Sequence, residues 1–352
     1  MVSIAKHFYR PELDALRFFA FLAVLVHHGP GAPGFAGIVR DAGGFGLSMF
    51  FLLSAYLITE LLVREREQSG TIAWRFFFVR RALRIWPLYF AAIAVGVLIS
   101  KVDRTALAAM LVFVANWIPV DAGRLLAPLW SISIEEQFYL LWPPILKFGG
   151  KALAFVMSIV FIATAGIWFC FFEYRGWRLW YDTPVEFLFF AAGAILALAA
   201  HGKPTPTMRK GDRGFLLAAG LLLLAVAAEM GIGTAEVTGL SRTSLLLGYG
   251  GAVAGCAVIF SATLGLQNIP RVLIYGGRIS YGLYVFHSGM LELSRWLTAP
   301  LKLAHFSALN MVCVDSVALL LSVGAAHFSY RYFERPFLKL KERFEVVKSR
   351  PA

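Results

Sequence analysis

The sequence predicts an all-α polytopic integral membrane protein with about 10 transmembrane helices plus one short re-entrant or interfacial helix. Three observations predict it. The 352 residues are 59% hydrophobic and only 15% charged, with a mean hydropathy of +0.70. Apolar runs recur along the whole chain, and basic residues sit in the short loops between them. A soluble domain of this size does not need so much apolar surface, whereas a polytopic membrane protein does. The net charge of +12 therefore reads as membrane topology and not as a nucleic-acid groove. Membrane lipids are expected partners; nucleic acid is not.

In chain order the runs fall near 12–30, 43–63, 85–100, 129–147, 152–172, 183–200, 214–230, 243–264, 279–299 and 308–330. Several are shorter than the roughly 20 residues a span needs, and borrow flanking residues. The segment 105–119 is apolar but short and ends at Pro119. It is expected to be re-entrant or interfacial, which is tolerated only where protein buries it. With ten spans, the N-terminus, 64–84, 147–151, 201–213, 271–278 and the C-terminal tail share one side. That side holds 23 of the 33 Lys and Arg residues, nine lie on the other, and Arg17 lies inside the first span. The positive-inside rule makes the rich side cytoplasmic and puts both termini there. No linker, repeat or soluble segment interrupts the pattern. Residues 1–352 read as a single membrane domain, with 336–352 a short basic cytoplasmic tail. Cys170, Cys256 and Cys313 lie inside apolar runs and read as packing residues. No cleavable signal peptide is expected, because Asp14 and Arg17 stand where its apolar core would be.

Four segments carry candidate chemistry. In LDALRFFAFLAVLVHH, Arg17 and His28 are eleven residues apart. At about 100° per residue they return to within roughly 20° of each other, about 16 Å apart along the helix. Asp14 shares their stripe and His27 points away. Ionisable groups in a span face a protein interior or a wet cavity, so the stripe is either a working site or an Asp14–Arg17 anchor at the interface. In RFFFVRRALRIWPLYF, Arg81 and Arg84 are helix neighbours. Paired guanidiniums suit phosphate oxygens, though a topological anchor would look the same. In APLWSISIEEQFYLLWP, Glu135 and Glu136 sit about 100° apart, so that one faces the interior and the other elsewhere; Ser131 and Tyr139 flank Glu135 by one turn. Glu135 either orients the site or makes an ion pair between spans. In ISYGLYVFHSG, Ser280, Tyr284 and His287 form one polar stripe, suited to interhelical hydrogen bonds or to catalysis. No metal is expected, since no predicted helix sets histidines and carboxylates at ligand spacing. Gly-x-Ser-x-Gly and P-loop patterns are also missing.

Together these segments resemble the membrane-bound acyltransferase-3 family, whose members O-acetylate bacterial surface polysaccharides. The resemblance runs along most of the chain in the family's order. It is carried by Arg17-x10-His28, by FGLSMFFLLSAYLIT, by Arg81-Ala82-Leu83-Arg84 with the following Ile85-Trp86-Pro87-Leu88-Tyr89, by LWSISIEEQFYLLWP and by ISYGLYVFH. Ala55-Tyr56 replaces the Gly-Phe that members often carry there. The resemblance implies a stand-alone form without a hydrolase-like C-terminal domain, in a bacterial cytoplasmic (inner) membrane. It implies transfer of an acyl group, usually acetyl from acetyl-CoA as donor substrate with no bound cofactor, to a hydroxyl of a cell-surface or lipid-linked glycan. His28 would be the general base and Arg17 would bind donor or stabilise developing charge. Glu135 would orient the site, and Arg81 and Arg84 would bind acyl-CoA. Asp14, Ser133, Tyr284 and His287 are expected in support. Since His28 lies far from Arg81 and Arg84, the acetyl group or the pantetheine arm would have to reach inward. Two rival readings are acylation of a small molecule such as a macrolide and, in another class, a proton-coupled transporter or flippase.

Overall fold

The computed structural model describes residues 8–31, 34–118, 123–171, 177–232, 240–301 and 307–348. Among them the helices run, in order, α1 (Pro11–His28), α2 (Phe35–Gly43), α3 (Phe45–Ser69), α4 (Trp74–Ile99), α5 (Arg104–Leu111), α6 (Gly123–Leu126) and α7 (Trp130–Phe171). They continue with α8 (Thr183–Ala200), α9 (Lys210–Glu229), α10 (Arg242–Thr263), α11 (Arg271–Arg278), α12 (Ser280–Thr298), α13 (Ser307–Phe328) and α14 (Arg335–Glu342). The chain is an all-α polytopic membrane protein.

Seven helical stretches among the described residues are long and apolar enough to cross a membrane. One of them, Gly123–Phe171, contains a break at Gly150, whose φ of +63° is a left-handed conformation that favours glycine. The break falls between the expected spans 129–147 and 152–172. Helices α1 and α12, which carry polar and charged candidate residues, are not among the seven. Helix α5 has eight residues, about 12 Å at 1.5 Å per residue, too short to cross roughly 30 Å of hydrocarbon. Asp103 starts it, its Oδ1 accepting the N–H groups of Thr105 at 2.7 Å and Ala106 at 3.2 Å.

Helix α1 lies among α2, α3, α11 and α12. Pro11 opens it, Glu12 and Asp14 occupy its first turn and His27 and His28 its last, in keeping with the helix dipole. Glycines let the backbones approach, as small residues do between membrane helices. A Cβ on Gly43 or Gly46 would strike the carbonyls of Ala23 or Ala20 on α1, and one on Gly277 would strike that of Asp14. Gly193 of α8 meets the Leu52 carbonyl of α3 in the same way.

The two chain ends meet, with Phe8 N–H donating to the Lys348 carbonyl at 2.8 Å. Helix α14 packs on α4, and Arg80 donates to the Phe344 carbonyl at 2.6 Å. Residues 336–348 of the basic tail thus fold back on the bundle. At the C-terminus of α8, His201 Nδ1 lies 2.9 Å from Glu60 Oε2, and its Nε2 lies 2.9 Å from Glu67 Oε2. Both carboxylates can only accept, so the ring donates twice as an imidazolium.

Two outcomes test this packing. Gly193→Ala should destabilise the detergent-solubilised protein by about 1–3 kcal/mol and lower its Tm, while Gly166→Ala, with nothing near its Cβ, should not. The hydrogen bonds His201 donates to Glu60 and to the second carboxylate raise its pKa above 6.5. Its contribution to stability is then full below pH 6.5 and is lost as pH rises through the raised value. The Tm gap between wild type and His201→Gln should close over that rise; a gap independent of pH would exclude the imidazolium.

Candidate active site

The site is built around α1, where Asp14 is buried and held from two directions. Tyr9 donates to its Oδ2 at 2.9 Å, and Arg17, one turn on, pairs with its Oδ1 at 3.5 Å. The Arg17 side chain, 17% exposed, then reaches between two cavities.

The first cavity is a cleft of about 900 Å³ at the end of the bundle where the termini meet, open to solvent. Arg10, Arg17, Arg80, Arg81, Arg84 and Lys341 line it together with Asp14, Glu65 and Glu345. Six cationic groups against three carboxylates make it a place for an anion. Arg80 is already tied to Glu65 at 3.0 Å and Lys341 to Glu345 at 2.8 Å. The second cavity is an inner chamber of about 650 Å³. Arg17, Arg81 and Arg84 line both, so three guanidiniums stand where cleft and chamber meet.

Side chains from four helices fix the chamber. Arg81 stacks over Tyr139, its Cζ 5.3 Å from the ring centre. Tyr139 donates to Glu135 Oε2 at 2.9 Å, and Ser54 of α3 lies 2.8 Å from the Tyr139 hydroxyl. The tyrosine has one proton to give, so Ser54 is the donor in the second contact. Glu136 turns the other way, to Trp86, and the two glutamates separate as their helical spacing requires. At the chamber's far end the Tyr284 and Ser131 hydroxyls are 2.6 Å apart and lie 2.7 and 3.1 Å from the Pro128 carbonyl. With one proton each, one donates to the other, which donates to the carbonyl.

Beyond this hydroxyl pair lie the two histidines. The His287 ring centre is 5.4 Å from that of Tyr284 and 5.0 Å from that of His28. His287 is fully buried, its Nδ1 donating to the Tyr284 carbonyl at 2.5 Å. His28 is exposed at the opposite end of the bundle from the termini, with Nδ1 2.9 Å from the Val24 carbonyl. A carbonyl can only accept, so Nδ1 carries the proton and Nε2 of neutral His28 has its lone pair available.

The structure thus brings Asp14, Arg17, Arg81, Arg84, Glu135 and Tyr284 to a pair of adjoining cavities. It sets His28 and His287 side by side just past them. Ser133 is not brought there. It is buried and accepts Ala115 N–H at 3.3 Å, because two residues turn a helix by about 200° from Ser131; Ser131 stands in the chamber instead. Sequence reasoning missed Ser54, Tyr281, Lys341 and Glu345, which reach the cavities through tertiary packing alone. Among the described residues no three His, Cys, Asp or Glu side chains gather as metal ligands.

The acyltransferase-3 family profile, described as an acyltransferase domain, matches residues 10–328. The chain belongs to the acyltransferase-3 family. The matched stretch includes the segments that build the site, from Arg17 and His28 on α1 to Tyr284 and His287 on α12. A peptidoglycan O-acetyltransferase of Listeria monocytogenes is 27% identical over 369 residues, covering 94% of this chain and 56% of that protein. A putative peptidoglycan O-acetyltransferase of Bacillus subtilis is 27% identical, with 94% and 55% covered. A putative O-acetyltransferase of Staphylococcus aureus is 26% identical, with 98% and 59% covered. The chain of this family member spans between half and two thirds of these relatives' length. No solved structure matches it.

Proposed function

We propose that the chain is a membrane O-acyltransferase. It moves an acyl group, acetyl in the first instance, from acyl-CoA in the cytoplasm to a hydroxyl of a cell-surface or lipid-linked glycan beyond a bacterial inner membrane. The observation that carries this reading is that the cationic cleft and the inner chamber share Arg17, Arg81 and Arg84 in their linings. Together they run from a solvent-open anion site toward two imidazoles at the other end. The resemblance to peptidoglycan O-acetyltransferases supports a glycan acceptor.

Each role follows from chemistry. Arg81 and Arg84 bind phosphate oxygens of the donor by charge-assisted hydrogen bonds, on the side that the distribution of Lys and Arg makes cytoplasmic. Arg17, kept in place by Asp14, faces the same junction and stabilises negative charge that develops on the thioester oxygen. Glu135, clasped by Tyr139, offsets the three guanidiniums from the chamber side. His28 Nε2 takes the proton of the acceptor hydroxyl as that oxygen attacks the acyl carbon.

Two measurements test the reading. His28→Ala should cut acetyl transfer to glycan, followed as ester-linked acetyl by mass spectrometry, by about 10²–10⁴-fold at equal membrane abundance; retained transfer would remove His28 as the base. Replacing Arg81 and Arg84 together by Gln should weaken acetyl-CoA binding about tenfold or more, as loss of charge-assisted hydrogen bonds implies. An unchanged Kd would return the pair to a topological role.

A further inference from the structure

At the far end of the bundle a second polar cluster surrounds the His28–Gly29 peptide and belongs to neither cavity. Arg295 of α12 donates through Nη2 to the His28 carbonyl at 2.7 Å and through Nη1 to Glu292 Oε1 at 2.5 Å. Glu292 also accepts from Arg124 at 3.2 Å, and Ser288 donates to the Arg124 carbonyl at 2.7 Å. The Arg124 side chain is 79% exposed, so this is a charged rim open to the outside, beside the exposed His28. Behind it α13 sets Asp315 against Gly29, where an added Cβ would collide with the carboxylate. Asp315 Oδ1 is buried and has no hydrogen-bond partner. Both terminal nitrogens of the neighbouring Arg295 are already engaged.

A buried acceptor left without a donor costs about 1–3 kcal/mol, and native structures keep few such atoms without a reason. A carboxylate can only accept, so what completes this site is a donor. An anionic ligand would be repelled, whereas a hydroxyl fits. We infer that Asp315 is an acceptor-binding residue, taking a hydrogen bond from a hydroxyl of the sugar to be acylated. Gly29, having no side chain, leaves the carboxylate close against the backbone. Its Cα is about 3.8 Å from that of His28, so a hydroxyl held there is presented to the imidazole. Glu292 and Arg295 form the rim for neighbouring ring hydroxyls. The ligand class is therefore a neutral polyhydroxylated sugar. The inference rests on the acyltransferase reading, in which a carbon–oxygen bond to the sugar forms and the carbon–sulfur bond of the thioester breaks. The hydroxyl proton goes to His28 Nε2 and from there to the departing thiolate.

The test uses the full chain in proteoliposomes, acetyl-CoA, and a neutral N-acetylglucosamine oligosaccharide as acceptor. Asp315→Asn keeps the size of the side chain and should raise the acceptor KM about tenfold or more, leaving the Kd for acetyl-CoA and the Tm at wild-type values. A variant with wild-type acceptor KM, whatever its kcat, overturns the inference while the acyltransferase reading stands. A wild-type protein that acetylates no sugar overturns both. Should Asp315→Asn fail to accumulate, Glu292→Gln serves: a rise of about threefold in acceptor KM is expected, and an unchanged KM refutes the rim.

Discussion

A guanidinium inside an apolar helix bundle must be paired or wetted, and the organisation of this protein follows from how Arg17 meets that demand. A charge left in hydrocarbon costs several kcal/mol. Asp14 supplies the pairing, and Tyr9 holds the carboxylate from its other oxygen. Gly277 brings α11 against the Asp14 carbonyl, and α12 follows after one residue. The same contact that steadies the ion pair therefore aims Tyr284 and His287 inward. Wetting comes from the cleft and the chamber, which meet where Arg17, Arg81 and Arg84 converge. Three like charges at one junction repel unless carboxylates, solvent or an anionic ligand stand among them. Glu135 is the carboxylate on the chamber side.

The sequence is a good guide to what a single helix decides. Helical spacing alone put Arg17 with Asp14, Arg81 with Arg84, Ser131 and Tyr139 around Glu135, and Glu136 elsewhere. It also favoured a re-entrant or interfacial 105–119, and the structure places there a helix of only eight residues. What it could not show is which polar stripes share a cavity and at what depth. Ser133 illustrates the limit: it stands among the glutamate segment's polar residues, yet its hydroxyl serves a backbone N–H of the 112–118 turn. Lys341 and Glu345 read as part of a solvated basic tail, and the packing of α14 on α4, the Arg80–Phe344 bond and the pairing of Phe8 with Lys348 carry them to the cleft. Asp315 is a lone carboxylate in an apolar run, and its proximity to Gly29 spans most of the chain. The last two are contacts between residues hundreds of positions apart, and no local periodicity encodes them.

The hydroxyl pair between chamber and histidines sets the direction of the proposed chemistry. Tyr284 and Ser131 share their two protons between each other and the Pro128 carbonyl, so the chamber's far end is closed by satisfied, uncharged groups. A polyanion held among guanidiniums would lose its counter-charges and its hydration in crossing that closure, a penalty of several kcal/mol per charge. A slender uncharged arm bearing a thioester loses neither. The closure thus separates a donor by parts, keeping the phosphates at the arginines and letting the acyl end advance toward His287 and His28. The imidazoles suit their end for the same reason. Neutral His28, its Nε2 an acceptor, can take the hydroxyl proton at its exposed face without a permanent charge in the span. On this reading the membrane protein is a graded path, cationic where an anion must be held and neutral where only an acyl group has to pass. The position of Tyr284 and Ser131 marks the step between the two.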